Sequence, residues 1–475
     1  MISVTRQRIK YVASDYIMSA AAILVYNCVR YWLWEERLVA DGFFSLKSFL
    51  LSANVMLGQA LFPLAMMCLY WLSGYYTEVI RKSRIQELLA TLQSAFISAM
   101  IVFFVAMIND LVADRASNYE MILILTGIIF ICLYLARATI TSHAQKKLHR
   151  GEWKFNTLII GAGHKAAEFD RRLAKTDRIL GYNVVGMVPI PGEKKATHIS
   201  KPTYSIDFLA DTCQRLGVTE LIVIPTKNDA KMVLAAINKL FLLGLPIKIS
   251  PDMYNILVSR VRLTDFHGEP LVDISGGSMP AGQSNIKRLA DCIVSALCLV
   301  ILSPFLLIVA IAIKRESPGG AIYKQERIGY RNKPFTIYKF RTMRLDAESD
   351  GVPRLSSDTD DRVTRIGRFL RKYRIDELPQ FWNVLRGDMS LVGPRPERQF
   401  YIDQIVERAP FYTLLHQVRP GITSMGMVKY GYAKNVEQMI ERMRYDLMYL
   451  ENMSLLNDIK ILAYTVETVL TGKGI

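Results

Sequence analysis

The sequence predicts a membrane protein with three parts: an α-helical four-span bundle, a soluble Rossmann-like α/β domain, and a mixed α/β domain with a re-entrant membrane helix. Three observations predict this class. Hydrophobic residues make up 51% of the 475 positions. Five apolar stretches approach or exceed the ~20 residues that a helix needs to cross a bilayer. Between the fourth and fifth stretches, short apolar strands alternate with polar helices, which is typical of a parallel sheet. We expect domains at 1–150, 151–275 and 276–475.

The first four apolar stretches lie near residues 12–34, 45–73, 88–109 and 121–138. Lys and Arg in short loops are retained on the cytoplasmic side. Ten such residues precede the first stretch, separate the second from the third, or follow the fourth, whereas the other two loops contain only Arg37 and Arg115. Both ends of the bundle are therefore expected in the cytoplasm.

Two charged residues, Asp15 and Arg30, lie in or near the first stretch. A charge within the membrane suggests a function. Both residues are also close enough to an end of the stretch for their side chains to reach the interface, which requires no function.

The α/β region opens with the apolar segment 158–160, followed by GAGHKAA, in which Gly161 and Gly163 match a GxGxxA variant of the dinucleotide fingerprint. In that turn, glycines let backbone donors approach a pyrophosphate. No acidic residue stands about 20 positions on to hold a ribose. The pattern fits either a cofactor site or a structural sheet that has kept the turn.

The fifth apolar segment, 289–313, has basic residues at both ends, Lys287–Arg288 and Lys314–Arg315. A spanning helix usually has asymmetric flanks. Ser303 and Pro304 lie just past the midpoint, where proline bends or breaks a helix. These features favour a re-entrant hairpin that keeps both ends in the cytoplasm; the alternative is a fifth spanning helix with a proline kink.

A mixture of cations and carboxylates follows this segment. The alternating stretch 335–341 carries Lys339 and Arg341 directly ahead of Asp346 and Glu348. Phosphoryl transfer needs cations to neutralise phosphate oxygens and carboxylates to hold Mg²⁺ or attack phosphorus. The other interpretation is a charged strand-to-helix corner at the surface.

A basic amphipathic helix is predicted over 365–374 and suits either an anionic membrane surface or a solvated core-packing role. Asp376 and Glu377 follow it. Arg395 lies between Pro394 and Pro396, which fix the backbone so that the guanidinium can clamp a phosphate with little entropy left to lose.

Charge and composition exclude several classes of function. The formal net charge of +16 indicates anionic partners such as nucleotides, phosphorylated substrates or anionic lipids. No nucleic acid partner is expected for a chain with so much membrane-spanning sequence. The six cysteines form no CxxC pair, and the six histidines show no metal-ligand spacing, so a zinc site is not expected.

The ordered motifs of the last third resemble the bacterial sugar transferase family, the monotopic phosphoglycosyl transferases. The resemblance runs from Lys287 to Ile475 and rests on LSP, QERIG, KFRTM, DDRVT, DELPQ, GDMSLVGPRP and RPGIT. The upstream spans and α/β domain are similar to the long form of that family. Such members begin exopolysaccharide, capsule or O-antigen assembly at the cytoplasmic face of the bacterial inner membrane.

The resemblance implies a ping-pong reaction with Mg²⁺ as cofactor. A carboxylate takes the sugar phosphate from a UDP-sugar, releasing UMP, and undecaprenyl phosphate then accepts it. Asp346 is favoured as attacker and Glu348 as metal ligand or proton acceptor, although Ala347 separates them where the family has adjacent residues, and the roles could be exchanged. Asp376 and Glu377 would support the site. The expected phosphate-binding residues are Arg327, Lys339, Arg341, Arg371 and Arg395.

Two other classes of function stay open. One is a noncatalytic membrane scaffold or regulator of polysaccharide assembly. The other is a membrane-tethered nucleotide-sugar-modifying enzyme, which needs a Tyr-x-x-x-Lys pair that residues 164–285 lack. The sequence does not separate glucose from galactose as the sugar. A homodimer in contact with membrane lipids is a reasonable expectation.

Overall fold

The computed structural model divides into two compact units, one of Met1–Lys154, Asp177–Gly181 and Pro280–Asn285, the other of Phe155–Thr176, Tyr182–Met279 and Ile286–Ile475. The three-domain division of the sequence stays a prediction. The residues that the structure describes are 4–40, 42–109, 115–176, 181–193, 196, 199–224, 236–237, 239–241, 243–250, 272–273, 279–344, 347 and 360–471.

The first unit is helical. Its fourth long helix packs against the first and third, and the second packs against the first. The predicted second stretch begins with a separate short helix, because Ser52 and its neighbours interrupt the helical backbone. The helices are α1 (Val4–Leu33), α2 (Glu35–Ala40), α3 (Leu46–Leu50), α4 (Ala53–Leu72), α5 (Arg84–Asn109) and α6 (Arg115–His149).

A buried ion pair joins α1 to α6. Arg137 Nε and Nη2 donate to the two carboxylate oxygens of Asp15, each at 2.8 Å. The guanidinium carbon lies 4.3 Å from the ring centre of Tyr70 and 3.9 Å from that of Tyr75. Arg137 is 0% exposed and Asp15 1%. The Asp15 carboxylate is therefore buried against a cation of another helix, a pairing that neither sequence interpretation included.

The second unit contains a five-stranded sheet of order β2-β1-β3-β4-β5. The first four strands are parallel and β5 is antiparallel to β4. Apolar side chains of β1, β3 and β4 are fully buried in one core, which explains the continuous hydrophobic runs 158–160 and 221–223 of the first two. The elements are β1 (Phe155–Ile160), α7 (His164–Thr176), β2 (Tyr182–Val188), α8 (Leu209–Arg215), β3 (Glu220–Val223), β4 (Ile247–Ile249) and β5 (Val272–Asp273).

The fifth apolar segment forms one helix, α9 (Ala281–Glu316), with Pro304 inside it. The expected break at Ser303 and Pro304 is not an end of the helix, since helical structure continues on both sides. Five helices of the described residues, including α9, are long and apolar enough to cross a membrane. Together with the sheet they make the chain a membrane protein with an α/β domain.

The rest of the second unit places short strands and turns beside α9. The antiparallel hairpin β6–β7 runs from Ile322 to Phe340, and β8 and β9 form a parallel pair. The elements are β6 (Ile322–Ile328), β7 (Pro334–Phe340), α10 (Arg365–Lys372), α11 (Gln380–Arg386), β8 (Ser390–Val392), α12 (Gln399–Arg408), β9 (Gly421–Thr423), α13 (Met425–Lys429), α14 (Val436–Glu451) and α15 (Leu455–Thr471).

Candidate active site

A single carboxylate, that of Glu377, gathers cations from three parts of the chain. Lys339 Nζ donates to Glu377 Oε1 at 2.7 Å. Arg374 Nη2 and Nε donate to Oε2 at 2.6 and 3.0 Å. Arg395 Nη1 lies 3.4 Å from Oε1. The structure thus brings together three residues predicted from sequence, Glu377, Lys339 and Arg395, and adds Arg374.

The pKa values follow from this crowding. Burial alone would raise the pKa of Glu377, but Arg374, Lys339 and Arg395 hold it well below its ordinary value. Burial lowers the pKa of Lys339, and Glu377 opposes that effect. Glu377 is therefore ionised at neutral pH and serves as an anionic centre that keeps the cations in place.

Asp376, the neighbouring carboxyl group, has a different environment. Burial raises its pKa to about 6, and the negative charge of Glu377 adds to that shift, although Lys339 and Arg371 oppose it. Adjacent carboxyl groups with pKa values moved in opposite directions are typical of functional sites. Asp376 is thus the carboxyl group of the DELPQ turn that can change protonation near neutral pH.

The cation-bearing elements owe their positions to close backbone packing. A Cβ at Gly393, just before Pro394 and Arg395, would lie 2.3 Å from the carbonyl oxygen of Arg419, so glycine is required for the β8 end to pack on the RPGIT segment. The guanidinium carbon of Arg395 then lies 5.1 Å from the ring centre of Tyr432. This stacking presents Arg395 beside Glu377.

The other predicted phosphate ligands lie in different environments. Arg371 on α10 donates to Thr342 Oγ1 at 2.9 Å and lies near Asp376. Arg327 donates to Glu397 Oε2 at 3.2 Å. The strand β7 ends at Phe340, just before Arg341. The Arg341 guanidinium donates to the carbonyl oxygens of Ser317 and Pro318. Of these three, Arg371 is electrostatically coupled to the Asp376 side of the cluster.

Asp346 and Glu348, the predicted attacking and metal-binding pair, lie outside the described residues. Within the described part of the chain, no group of three or more His, Cys, Asp or Glu side chains is spaced to hold a metal ion. Glu377 does not fit a magnesium ligand, since cations occupy both of its oxygens. Magnesium binding therefore stays a prediction that rests on Asp346 and Glu348.

The Gly161–Gly163 turn is closed by an acidic side chain from its own domain. Glu193 Oε2 accepts from the backbone N–H of Ala162 at 2.9 Å and of Ile190 at 3.3 Å. The N–H of Ala196 donates to the carbonyl oxygen of Ala162 at 2.8 Å. A donor that a pyrophosphate would use thus bonds a carboxylate in this structure, which favours the structural interpretation of the turn.

Several residues that pair with the predicted site residues were not singled out by any sequence pattern. Arg374 is one, and the signal that could have found it is its position three residues before Glu377. Glu397 is another: it pairs with Arg327 and also accepts from Arg442 Nη2 at 2.5 Å. Arg442 of α14 reaches Glu397 only through tertiary packing, so no local sequence pattern predicts that pair.

Comparison with known proteins gives the family. Residues 282–472 match the family model described as bacterial sugar transferase. A UDP-N-acetylgalactosamine-undecaprenyl-phosphate N-acetylgalactosaminephosphotransferase of Aeromonas hydrophila is 40% identical over 231 residues, 48% of this chain and 53% of the relative. A UDP-glucose:undecaprenyl-phosphate glucose-1-phosphate transferase of Caulobacter vibrioides is 44% identical over 199 residues, 41% of this chain and 74% of the relative.

A further relative is a putative undecaprenyl-phosphate N-acetylgalactosaminyl 1-phosphate transferase of Bacillus subtilis, 48% identical over 128 residues, which are 27% of this chain and 71% of the relative. The chain spans about half the length of the Aeromonas relative and of a UDP-glucose:undecaprenyl-phosphate glucose-1-phosphate transferase of Klebsiella pneumoniae, at 53% and 47%. The segment matched by the family model, 282–472, contains the Glu377 cluster and all of α9 except its first residue. On this similarity the chain belongs to the bacterial sugar transferase family.

Proposed function

We propose that the protein transfers a sugar 1-phosphate from a UDP-sugar to undecaprenyl phosphate and releases UMP. The observation that carries the proposal is the Glu377 cluster, in which an ionised carboxylate holds Lys339, Arg374 and Arg395 together. Such a cluster can bind a diphosphate, whose oxygens need several cations in a fixed arrangement. The names of the relatives support these two substrates.

The chemistry we propose proceeds in two displacements. A carboxylate oxygen of Asp346, or of Glu348 in the exchanged assignment, attacks the β-phosphorus and forms an acyl phosphate. The bond from that phosphorus to the bridging oxygen breaks, and UMP leaves with the electron pair. An oxygen of undecaprenyl phosphate then attacks the same phosphorus and displaces the carboxylate. Lys339 and Arg395 would neutralise phosphate oxygens in both displacements.

The geometry of α9 supports a re-entrant arrangement that keeps this site at the cytoplasmic face of the inner membrane. Near its start, Lys287 Nζ lies 2.7 Å from Asp458 Oδ2 of α15. Near its end, Ile313 packs with Phe340 and Leu370. A straight helix would separate positions 287 and 313 by about 39 Å. Positions 287 and 313 both belong to the second unit and contact other segments of it.

The middle of α9 is the part that would enter lipid. Val300 and Ile301 are 73% and 71% exposed, which fits burial in hydrocarbon rather than in protein. Pro304 lies between the two anchored ends, where it removes a backbone donor and favours a bend. We therefore assign the middle of α9 to the cytoplasmic leaflet.

Labelling of single cysteines tests this topology. In a chain whose six native cysteines are replaced, Gln283→Cys lies in the first turn of α9, Gly320→Cys follows the end of α9, and Phe44→Cys lies in a loop predicted outside. A membrane-impermeant maleimide added to intact spheroplasts should label only Phe44→Cys, and all three in opened membranes. Labelling of Gly320→Cys from the periplasm would show that α9 crosses the bilayer.

Release of UMP tests the activity. Purified protein with undecaprenyl phosphate should release UMP from UDP-glucose, UDP-galactose or UDP-N-acetylgalactosamine, and the panel identifies the sugar. An Asp346→Asn plus Glu348→Gln variant should release none. If the wild-type protein released no UMP from a broad panel, while that variant still supported polymer synthesis in cells, the chain would be a scaffold or regulator.

A further inference from the structure

The backbone of Arg374 adopts a conformation that residues with a side chain seldom adopt. Its φ and ψ are 54° and 24°, in the left-handed region. Among the described residues, only Arg331 and Asn332 share a positive φ without being glycine. Such backbone strain persists where the surrounding structure holds it, and it clusters at functional sites.

The left-handed turn aims the side chain of Arg374 at two partners. Nε and Nη2 donate hydrogen bonds to Oε2 of Glu377, and Nη2 also donates to the carbonyl oxygen of Ile422 on β9 at 3.2 Å. Arg374 is only 7% exposed. Arg374 therefore links Glu377 of the DELPQ turn to the strand of the RPGIT segment.

The two hydrogen bonds from Arg374 determine which carboxylate oxygen of Glu377 the other cations can reach. With Oε2 bound by Arg374, Oε1 alone serves the other cations, closely with Lys339 at 2.7 Å and loosely with Arg395 at 3.4 Å. A loosely held guanidinium keeps donors for another anion. Without Arg374, Glu377 could rotate and form a bidentate pair with Arg395, the geometry that guanidinium and carboxylate prefer.

We propose that Arg374 is a positioning residue that holds Glu377 so that Lys339 and Arg395 stay available for the diphosphate of the UDP-sugar. This inference rests on the proposed function. It adds a role for a residue that would touch no substrate atom itself. The predicted signature is weaker substrate binding with little change in the chemical step.

The test compares two glycine variants. Arg374→Gly keeps the left-handed backbone, which glycine adopts without strain, and removes the guanidinium. Arg331→Gly is the matched control, because Arg331 has the same kind of backbone, with φ of 56°, and lies at the β6–β7 corner away from Glu377. KM for the UDP-sugar should rise about tenfold in Arg374→Gly, with kcat within about twofold of wild type, and neither constant should change in Arg331→Gly.

Chemical rescue separates positioning from a purely structural role. Millimolar guanidinium chloride should lower the KM of Arg374→Gly toward the wild-type value, whereas equal sodium chloride should not. Arg374→Lys, which keeps one charge but not the paired donors, should show an intermediate KM. These variants also cover the case in which glycine prevents folding, since the lysine variant then carries the comparison.

Two results would overturn the inference. One is an unchanged KM in Arg374→Gly and Arg374→Lys. The other is a loss of kcat together with a lowered melting temperature that guanidinium does not reverse. Failure of the proposed function would look different, since the wild-type protein itself would then release no UMP.

Discussion

The ammonium group of Lys339 lies 2.7 Å from Oε1 of Glu377, whose other oxygen is bound by Arg374. Glu377→Gln removes the charge that balances the partly exposed Lys339 and the buried Arg374. We expect a loss of about 3 kcal/mol in stability, because cations left unpaired in the interior are costly. The kcat/KM for the UDP-sugar should fall about 100-fold as the cations move apart. Thermal unfolding and UMP release measure the two effects.

The control for this variant is Glu437→Gln. Glu437 also pairs with an arginine, Arg408, but its side chain is 65% exposed. Exposed pairs contribute roughly 0–1 kcal/mol, so this substitution should change neither stability nor activity measurably. Equal effects of the two substitutions would show that the Glu377 cluster contributes no more to stability or activity than an exposed ion pair does.

Asp376 should make stability depend on pH. Its pKa is raised by burial from 3.8 to about 6 in the folded chain, so folding favours the protonated form. The loss of folding free energy caused by the buried Asp376 charge is absent below the unfolded-state pKa and complete above the folded-state pKa. Asp376→Asn removes it, so the free energy of unfolding of the variant should rise relative to that of wild type as pH rises from about 4 to about 7, by on the order of 2 kcal/mol. The difference in melting temperature between the two chains should grow over the same pH range.

Comparing the two chains isolates Asp376 in that experiment. Asp446, whose pKa burial also raises to about 6, is present in both and cancels in the difference. A melting-temperature difference that stayed constant across this pH range would show that Asp376 is not shifted.

The buried pair Asp15–Arg137 should couple α1 to α6. Asp15→Asn leaves a guanidinium with 0% exposure unbalanced, at a cost of about 3 kcal/mol. The double variant Asp15→Leu plus Arg137→Leu removes both charges and should be less unstable than the single one. Unfolding in a detergent titration measures both. If the costs of the single variants Asp15→Leu and Arg137→Leu simply added in the double variant, the two groups would not interact.

Glu193 should protect the glycine turn of the α/β domain. Glu193→Ala leaves the Ala162 N–H without its carboxylate, and hydrogen exchange at that amide should be about tenfold faster. Glu152→Ala is the control, since its pair with Arg150 is long, at 3.8 Å, and exposed. Unchanged exchange at Ala162 would argue against the contact with Glu193.

Some of the fold could be predicted because its signal is local. The apolar stretches and the strand before Gly161 are continuous runs, and five long apolar helices and a strand at Phe155–Ile160 are present. Lys339, Glu377 and Arg395 of the cluster were visible as motif residues, whereas Arg374 was not. Their pairing was not, because Lys339, Glu377 and Arg395 come from three separate segments that only tertiary packing brings together.

The details that local patterns could not predict have physical causes of the same kind. Lys339 and Arg341 share one face of an alternating strand in the sequence, but β7 ends between them, and Arg341 turns toward Ser317. Pro304 predicts a bend or a break, and the helix continues through it. The pairing of Asp15 with Arg137 could not be predicted, because the two residues are 122 positions apart along the chain and give no local signal.

Retention of radioactive phosphate on the protein tests the central claim most directly. Purified wild-type protein is incubated with a UDP-sugar labelled with ³²P at the β-phosphate and without lipid, then denatured. The covalent mechanism predicts label on the denatured chain, its transfer to undecaprenyl phosphate added before denaturation, and no label on the Asp346→Asn plus Glu348→Gln variant. Label that reaches lipid only when both substrates are present together, and never remains on protein, would contradict it.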